Sequence, residues 1–318
     1  MAMPTNKNRK KIKWFNDGVE AFVRARPDAP RLYCCPICIR GFDNPNELTF
    51  EDVPPQSVGG KPLVLTCPNC NHWSGRLLDT HIRTGCDLHE FAEGKRDTRI
   101  KLIHSGDTIT AKALLAQGQI QITGLPENSD PKAHRSLFEK LDKVASKGLK
   151  SWELSLEFIE FKRHNPWREA VGWLRVAYLY TFAALGYNFI MRPELNIIRE
   201  QFQRPDDRIA PQAMQSIRSP STDNGLSFLY SPPELRSIVV RLGVNLFFFP
   251  AFVESSKLVD SSTLYERIAS YLSLGQKLTI SGTHIDLPKR PQFAFDYLPR
   301  SIFNHVAAGG TIRVDMGN

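Results

Sequence analysis

The spacing of apolar positions predicts a helix close to the start of the chain. Trp14, Val19 and Phe22 recur at helical intervals, and the pattern stops at residues 26–30, a segment with two prolines. Residues 1–12 are polar and strongly basic, and we interpret them as a flexible arm.

Two different periodicities follow in the middle of the chain. Alternation of apolar and polar residues predicts strands at Arg99–His104, Thr108–Leu115, Gln119–Thr123 and Trp152–Phe161. Helical spacing predicts a helix that starts at Asp130-Pro131 and a long helix at Pro166–Leu185, which Gly186 would cap.

The last third favours β-structure. Apolar runs predict strands at Ser237–Phe249, Lys277–Ser281 and Gln292–Tyr297. A short helix is predicted at Ser262–Leu272, and the proline-containing residues 203–223 are predicted to form a loop. The fold class expected from these elements is α+β.

Breaks in the pattern suggest how the chain divides. We expect a basic arm with a short helix (1–31), a cysteine-rich segment (32–90), a mixed strand and helix domain (91–200), a linker (201–224) and a β-rich C-terminal region (225–318). The cysteine-rich segment has few periodic helices and is the most unusual part of the sequence.

Composition places the chain among ordinary globular proteins. Hydrophobic residues make up 42% and charged residues 23% of the 318 residues, which excludes a wholly disordered chain and a small disulfide scaffold. The net charge of +8 favours a polyanionic partner. Val171 to Met191 has the length of a membrane span, but Arg175 and Asn188 favour a buried core helix. No signal peptide is visible, so a cytoplasmic protein without a membrane partner is expected.

Four of the six cysteines occur as two Cys-x-x-Cys knuckles. Cys35–Cys38 and Cys67–Cys70 are separated by 28 residues, and two such turns supply the four thiolates of a structural zinc site. A pair of redox dithiols is the alternative. Cys34 could replace Cys35 as a ligand, and Cys86 lies outside the pattern.

An ordered set of motifs surrounds the second knuckle. An acidic pair, Glu51-Asp52, is followed by Pro54; a Gly59-Gly60 pair comes next, and Asn71, Gly75 and Asp79 follow the knuckle. In this order, from Tyr33 to Ile82, the motifs resemble the zinc-ribbon branch of the HNH endonucleases. The resemblance implies a ββα-metal finger, two strands followed by a helix that begins near the second knuckle.

The same resemblance implies a chemistry. HNH enzymes hydrolyse phosphodiester bonds with one divalent ion, Mg²⁺ or Mn²⁺, which Glu51 and Asn71 would bind here. Asp52 stands where the family usually carries its general-base His, and the middle Asn of the family name is missing. Asp52 would act as the base or as a second ligand beside Glu51.

Asp79 and His81 are further candidate ligands of the same ion. A cap or salt bridge is the alternative role for Asp79, and a structural role is the alternative for His81. Basic side chains near the finger are predicted to contact phosphates, with a solvated surface as the alternative reading. They are Lys10, Lys11, Lys13, Arg40, Lys61 and Arg76.

The main functional hypothesis is therefore an enzyme, a metal-dependent HNH-type endonuclease that cleaves DNA, with RNA also open. Such an enzyme could serve as effector of a bacterial defence or mobile-element system. The alternative is a catalytically degenerate, zinc-stabilised nucleic-acid-binding or interaction subunit. A protein partner, or a second copy of the chain, could dock on the C-terminal domain.

Overall fold

The computed structural model describes residues 5–104, 106–124, 130–146, 155–216, 223–250, 261–273, 278–294 and 311–314. The α-helices are α1 (Asn6–Ala25), α2 (Pro68–Ser74), α3 (Thr80–Ala92), α4 (Pro131–Ser146), α5 (Pro166–Leu185), α6 (Tyr187–Ile190), α7 (Asn196–Gln203) and α8 (Ser261–Ser273). A π-helical segment, Gly75–Asp79, joins α2 to α3.

The strands are β1 (Tyr33–Cys34), β2 (Gly41–Phe42), β3 (Thr49–Val53), β4 (Lys61–Thr66), β5 (Thr98–His104), β6 (Asp107–Ala116), β7 (Gln119–Gly124), β8 (Ser155–Phe158), β9 (Met214–Ser216), β10 (Gly225–Ser231), β11 (Ser237–Leu242), β12 (Asn245–Pro250), β13 (Leu278–Asp286) and β14 (Thr311–Val314).

The described strands form antiparallel sheets. Strand β1 pairs with β2, and β3 pairs with β4. A four-stranded sheet has the order β7-β6-β5-β8, and a six-stranded sheet has the order β14-β13-β10-β11-β12-β9. Antiparallel sheets combined with separate helices confirm the predicted α+β class.

The contacts divide the chain into two compact units. Unit 1 contains Met1–Asp79 and Ala170–Asn318, and unit 2 contains Thr80–Glu169. Unit 2 is thus inserted between the two parts of unit 1. This division does not follow the consecutive segments expected from the sequence, because the chain returns to unit 1 after 90 residues.

Unit 2 is built on the four-stranded sheet. Strands β5 and β6 bury one face, as the sequence pattern predicted, and Phe91 of α3 and Leu137 of α4 cover that face. Strand β7 is exposed along most of its length. The sheet contributes Ile100, Leu102, Ile109, Ala111 and Ala113 to this core.

Unit 1 is organised around α5, which is buried along most of its length. Helix α1 buries Trp14, Val19 and Phe22, the positions that its spacing predicted, together with Phe15. Among the residues that the structure describes, no helix is long and apolar enough to cross a membrane.

Several local predictions differ from the structure. Residues 6–12 are helical and not a flexible arm, because Thr5 caps α1 and basic residues are good helix formers. The single strand predicted at Ser237–Phe249 is a hairpin, since Gly243 takes a positive φ of 61° at its turn.

The ends of the other predicted strands also differ. Residues 214–216 of the predicted loop form β9. Residues 292–294 of the predicted strand Gln292–Tyr297 are not a strand, and the rest of it lies outside the described residues. The strand predicted at Lys277–Ser281 is present as part of β13, with residue 277 likewise outside the described residues.

Candidate metal centre

Four cysteines of unit 1 converge on one point. The Sγ atoms of Cys35, Cys38, Cys67 and Cys70 all lie within 4.8 Å of one another, and those of Cys38 and Cys67 are 3.8 Å apart. Zinc–sulfur bonds of about 2.3 Å in a tetrahedron place the sulfurs about 3.8 Å apart. The group fits the dimensions of a zinc site and could hold a zinc ion, as the spacing predicted.

Backbone hydrogen bonds shape both knuckles. The N–H of Cys35 donates to the carbonyl of Arg40, and the N–H of Ile39 donates to the carbonyl of Cys35, at 2.9 Å each. Cys67 caps helix α2, so the second knuckle forms the first turn of that helix. The N–H of Cys67 also donates to Sγ of Cys35 at 3.4 Å, so a hydrogen bond joins the two knuckles.

The pKa values of these neighbouring thiols shift in different directions. Hydrogen bonds to Cys38 and Cys67 raise the pKa of Cys35 well above its usual value. The same bonds lower the pKa of Cys38 to about 2 and that of Cys67 to about 6. Four thiols at these distances cannot all ionise without a compensating cation, which a divalent metal supplies.

The other two cysteines lie outside this group. Cys34 is in β1, where its N–H and carbonyl both bond to the hydroxyl of Tyr187, and burial raises its pKa to about 11. Cys86 is in α3 of unit 2. Cys35 and not Cys34 is therefore the member of the first knuckle that faces the second.

The hairpin β3–β4 precedes α2, and its turn depends on Gly59-Gly60. Gly59 has a φ of 85°, and a Cβ on Gly60 would lie 1.5 Å from the carbonyl oxygen of Pro54. Only glycine tolerates this approach. The close backbone contact at Gly60 is thus with the protein's own chain.

Glu51 lies on β3 and is buried, with 3% of its surface exposed. Its Oε1 is 2.7 Å from Nη2 of Arg175 on α5, and its Oε2 accepts a 2.8 Å hydrogen bond from Thr66. Arg175 is 2% exposed. Both carboxylate oxygens therefore have partners inside the protein.

Asp52 follows Glu51 across a β-bulge and is partly exposed. Burial and the neighbouring Glu51 raise the pKa of Asp52, while Lys7 and Lys10 act in the opposite direction. The first turns of α1 therefore lie close to this carboxylate. Lys10 also sits 4.4 Å above the ring of Trp14, which packs edge-on against Phe50 of β3.

Asn71 anchors α2 to β3. Its Nδ2 donates to the carbonyl of Phe50 at 3.0 Å and to Oγ1 of Thr49 at 3.2 Å. The structure thus brings Asn71 to the strand that carries Glu51 and Asp52. The amide of Asn71 is used in a contact within the protein.

Asp79 ends the π-helical segment, near Arg175 and Glu51. Burial raises the pKa of Asp79 to about 6, although Arg175 acts to lower it. Among the described residues, the buried Oδ1 of Asp79 has no hydrogen-bond donor. The Nε and Nη2 atoms of Arg175 have no aligned acceptor there. One guanidinium faces two carboxyl groups in this cluster, and its hydrogen bonds are incomplete.

His81 belongs to unit 2. Its Nδ1 accepts a hydrogen bond from the N–H of Asn165 at 3.2 Å, and its ring lies 6.4 Å from that of His164. His164 in turn is 2.8 Å from Glu169. Sequence spacing did not bring out this group of side chains.

The predicted phosphate contacts lie on several elements. Lys10, Lys11 and Lys13 are on α1, and Lys13 forms an exposed ion pair with Asp17 at 2.9 Å. Arg40, Lys61 and Arg76 are exposed at the first knuckle, the start of β4 and the π-helical segment.

Tyrosines of unit 1, which the sequence did not single out, form hydrogen bonds to the cysteine-rich segment. Tyr178 of α5 donates to the carbonyl of Pro36 at 2.8 Å, and Tyr180 donates to the carbonyl of Val53 at 3.0 Å. Tyr33 donates to the carbonyl of Leu65 at 2.8 Å. Because these bonds link distant parts of the chain, the cysteine-rich segment is an integral part of unit 1.

Comparison with known proteins gives no match. No family model fits the chain, and no curated protein and no solved structure is significantly similar to it. The relation to HNH endonucleases therefore rests on the motifs of residues 33–82 alone.

Proposed function

We propose that residues 32–90 form an HNH-type, zinc-stabilised finger whose role is to bind nucleic acid. The order of hairpin and helix supports this, with a possible zinc site at the start of the helix and Asn71 bonded to the first strand. These are the arrangements that the motif resemblance implies.

The observation that carries nucleic-acid binding is the charge of α1 beside Asp52. Lys7, Arg9, Lys10, Lys11 and Lys13 occupy the first turns of a helix that has no acidic residue in its first turn. Positive charges are unfavourable at this end of a helix, and Lys7 and Lys11 also repel each other at a spacing of four residues. Burial and Lys7 lower the pKa of Lys11. A polyanion would relieve this repulsion.

Binding is favoured over cleavage because of Glu51. The resemblance assigns this carboxylate to a divalent ion, yet both of its oxygens are bonded to Arg175 and Thr66 in a buried position. The catalytic Mg²⁺ or Mn²⁺ of the family does not fit this arrangement. The loss of the usual His at position 52 points in the same direction.

Fluorescence anisotropy with labelled duplex DNA, single-stranded DNA and RNA tests this role. We expect the affinity to fall steeply with salt, with a log–log slope of about −0.9 per phosphate contact on duplex DNA. The variant Lys7→Gln/Lys10→Gln/Lys11→Gln should bind more weakly and reduce that slope.

The control removes three charges elsewhere, in Lys101→Gln/Lys132→Gln/Lys143→Gln of unit 2. Equal losses in both triple variants would contradict a role of α1, since they would show a dependence on net charge alone. No binding of any of the three nucleic acids at low salt would overturn the proposal itself.

A metal-dependent endonuclease is the second candidate. Asp52 favours it, because this carboxylate is partly exposed, has a raised pKa and lies on the strand that Asn71 contacts. Nicking of supercoiled plasmid with Mg²⁺ or Mn²⁺, lost with EDTA and in Asp52→Ala, would establish this candidate. Intact plasmid together with salt-sensitive binding supports the binding module.

A further inference from the structure

The buried cluster of Glu51, Asp79, Thr66 and Arg175 has the composition of a cation site. Two carboxylates and a hydroxyl supply oxygen atoms, the donors that Mg²⁺ and Mn²⁺ prefer. Glu51 and Arg175 are 3% and 2% exposed, so the charge at the centre of the cluster is shielded from water.

The guanidinium matches the charge of Glu51 but not the hydrogen-bonding geometry of the cluster. An arginine that pairs with a carboxylate usually does so through two aligned N–H bonds. Here Nη2 of Arg175 is 2.7 Å from Glu51 without alignment, and Nε has no acceptor among the described residues. Oδ1 of Asp79 likewise has no donor in the described part of the chain.

We propose that Arg175 takes the place of the divalent cation of HNH-type sites, so that the side chain itself neutralises Glu51 and keeps the site closed to metal. This inference rests on the proposed HNH-type finger and deepens it. It also follows that removing the positive charge of Arg175 opens the oxygen cluster to a divalent ion, which Glu51 would then bind.

Binding of Mn²⁺ alone tests the inference in the full-length, zinc-loaded chain. Electron paramagnetic resonance or calorimetry would compare the wild type with Arg175→Gln and Arg175→Met. We expect no Glu51-dependent Mn²⁺ site in the wild type. Both variants should bind Mn²⁺ at least about tenfold more tightly than the wild type, and Mn²⁺ should raise their thermal unfolding temperature.

The matched control is Glu51→Gln/Arg175→Gln, which keeps the shape of the cluster without either charge. It should fold and lose the new Mn²⁺ site. Arg175→Gln retains a hydrogen-bond donor toward Glu51, whereas Arg175→Met does not. Arg175→Gln should therefore fold more readily than Arg175→Met in the absence of metal.

Three results would overturn the inference. The first is a Mn²⁺ site in the wild type that Glu51→Gln abolishes, because such a site would form with Arg175 still in place. Another is a folded Arg175→Gln variant with no more Mn²⁺ binding than the wild type. The third is failure of both Arg175 variants to fold in millimolar Mn²⁺ while the double variant folds. None of these assays contains nucleic acid. A failure of this inference can therefore be distinguished from a failure of the proposed binding function, which the anisotropy experiment tests.

Discussion

Two buried polar clusters of unit 1 differ in how their negative charge is compensated. The four cysteines bring together groups that acquire negative charge, and nothing in the cluster itself is positive. Glu51 and Asp79 also bring carboxyl groups into the interior, and Arg175 supplies a cation beside Glu51 from the chain itself. The first cluster could hold an ion from solution, whereas the second already contains a positive side chain.

The difference separates a cluster that could hold a metal ion from one that contains its own positive charge. Thiolates that converge within 4.8 Å bind a soft or borderline ion such as zinc. Carboxylate oxygens could bind a hard ion, but each oxygen of Glu51 already has a partner, Arg175 at 2.7 Å and Thr66 at 2.8 Å. A metal ion is thus favoured at the four cysteines and disfavoured at the cluster of Glu51 and Arg175.

Removing the metal from the cysteine cluster should have the largest effect. Structural zinc contributes about 10–16 kcal/mol to the folding of small finger peptides, so Cys67→Ser should abolish zinc binding and unfold the finger. Elemental analysis and near-ultraviolet circular dichroism, which reports on Trp14 and Trp73, would measure both changes. Cys34→Ser should keep its zinc. A zinc-loaded Cys67→Ser protein would contradict the assignment.

Breaking the second cluster should cost less, about 3–5 kcal/mol for Glu51→Gln or Arg175→Gln in the absence of added metal. Each single variant leaves one buried charge without its partner. The double variant should be more stable than either single variant, which a urea-unfolding double-mutant cycle would measure.

The exposed pair of Lys13 and Asp17, with atoms 2.9 Å apart, provides the control. Lys13→Gln should change the free energy of unfolding by less than about 1 kcal/mol. Additive effects of the two single variants in the buried cluster would show that Glu51 and Arg175 are not coupled.

Asp79→Asn tests how far burial of the Asp79 carboxylate lowers the free energy of unfolding. Since burial raises the pKa of Asp79 to about 6, the folded state holds a proton that the unfolded state has released. The wild type should therefore lose about 1–3 kcal/mol of stability as the pH rises from about 4 to about 6.

Asp79→Asn should lose that pH dependence and be the more stable protein at pH 7. Unfolding in urea at several pH values would show it. A variant that is less stable than the wild type at pH 7 would mean that attraction to Arg175 outweighs desolvation.

The smallest effects should come from the two tyrosines of α5. Tyr178→Phe and Tyr180→Phe each remove one hydrogen bond to the finger, worth about 1 kcal/mol. Tyr178 bonds the first knuckle, whereas Tyr180 bonds strand β3. Only Tyr178→Phe should therefore speed the release of zinc to a coloured chelator. Equal release rates in the two variants would argue against separate roles.

The sequence predicts the cysteine cluster well because its ligands lie in two local turns. Knuckle spacing depends on a few consecutive residues, and the start of α2 at Pro68 follows the predicted order. The same holds for strands β5 and β6 of unit 2, where the period of two residues is undisturbed.

The second cluster was not predictable in this way. Glu51 and Arg175 lie on elements that are far apart in the chain, and no local pattern joins them. One signal was present, since Arg175 is a single charge in an otherwise apolar helix, and a buried charge requires a partner. Sequence could not identify that partner, and it could not show that unit 2 is an insertion.

The insertion of unit 2 has a consequence for the order of events on the ribosome. Both knuckles are synthesised by residue 70, but Arg175 follows Cys70 by about 105 residues. At about 5–20 residues per second, the emerging chain spends roughly 5–21 s with its cysteines complete and its carboxylate uncompensated. Zinc can therefore be captured while Glu51 is still hydrated, and the nascent finger matures in two stages separated by the translation of an entire unit.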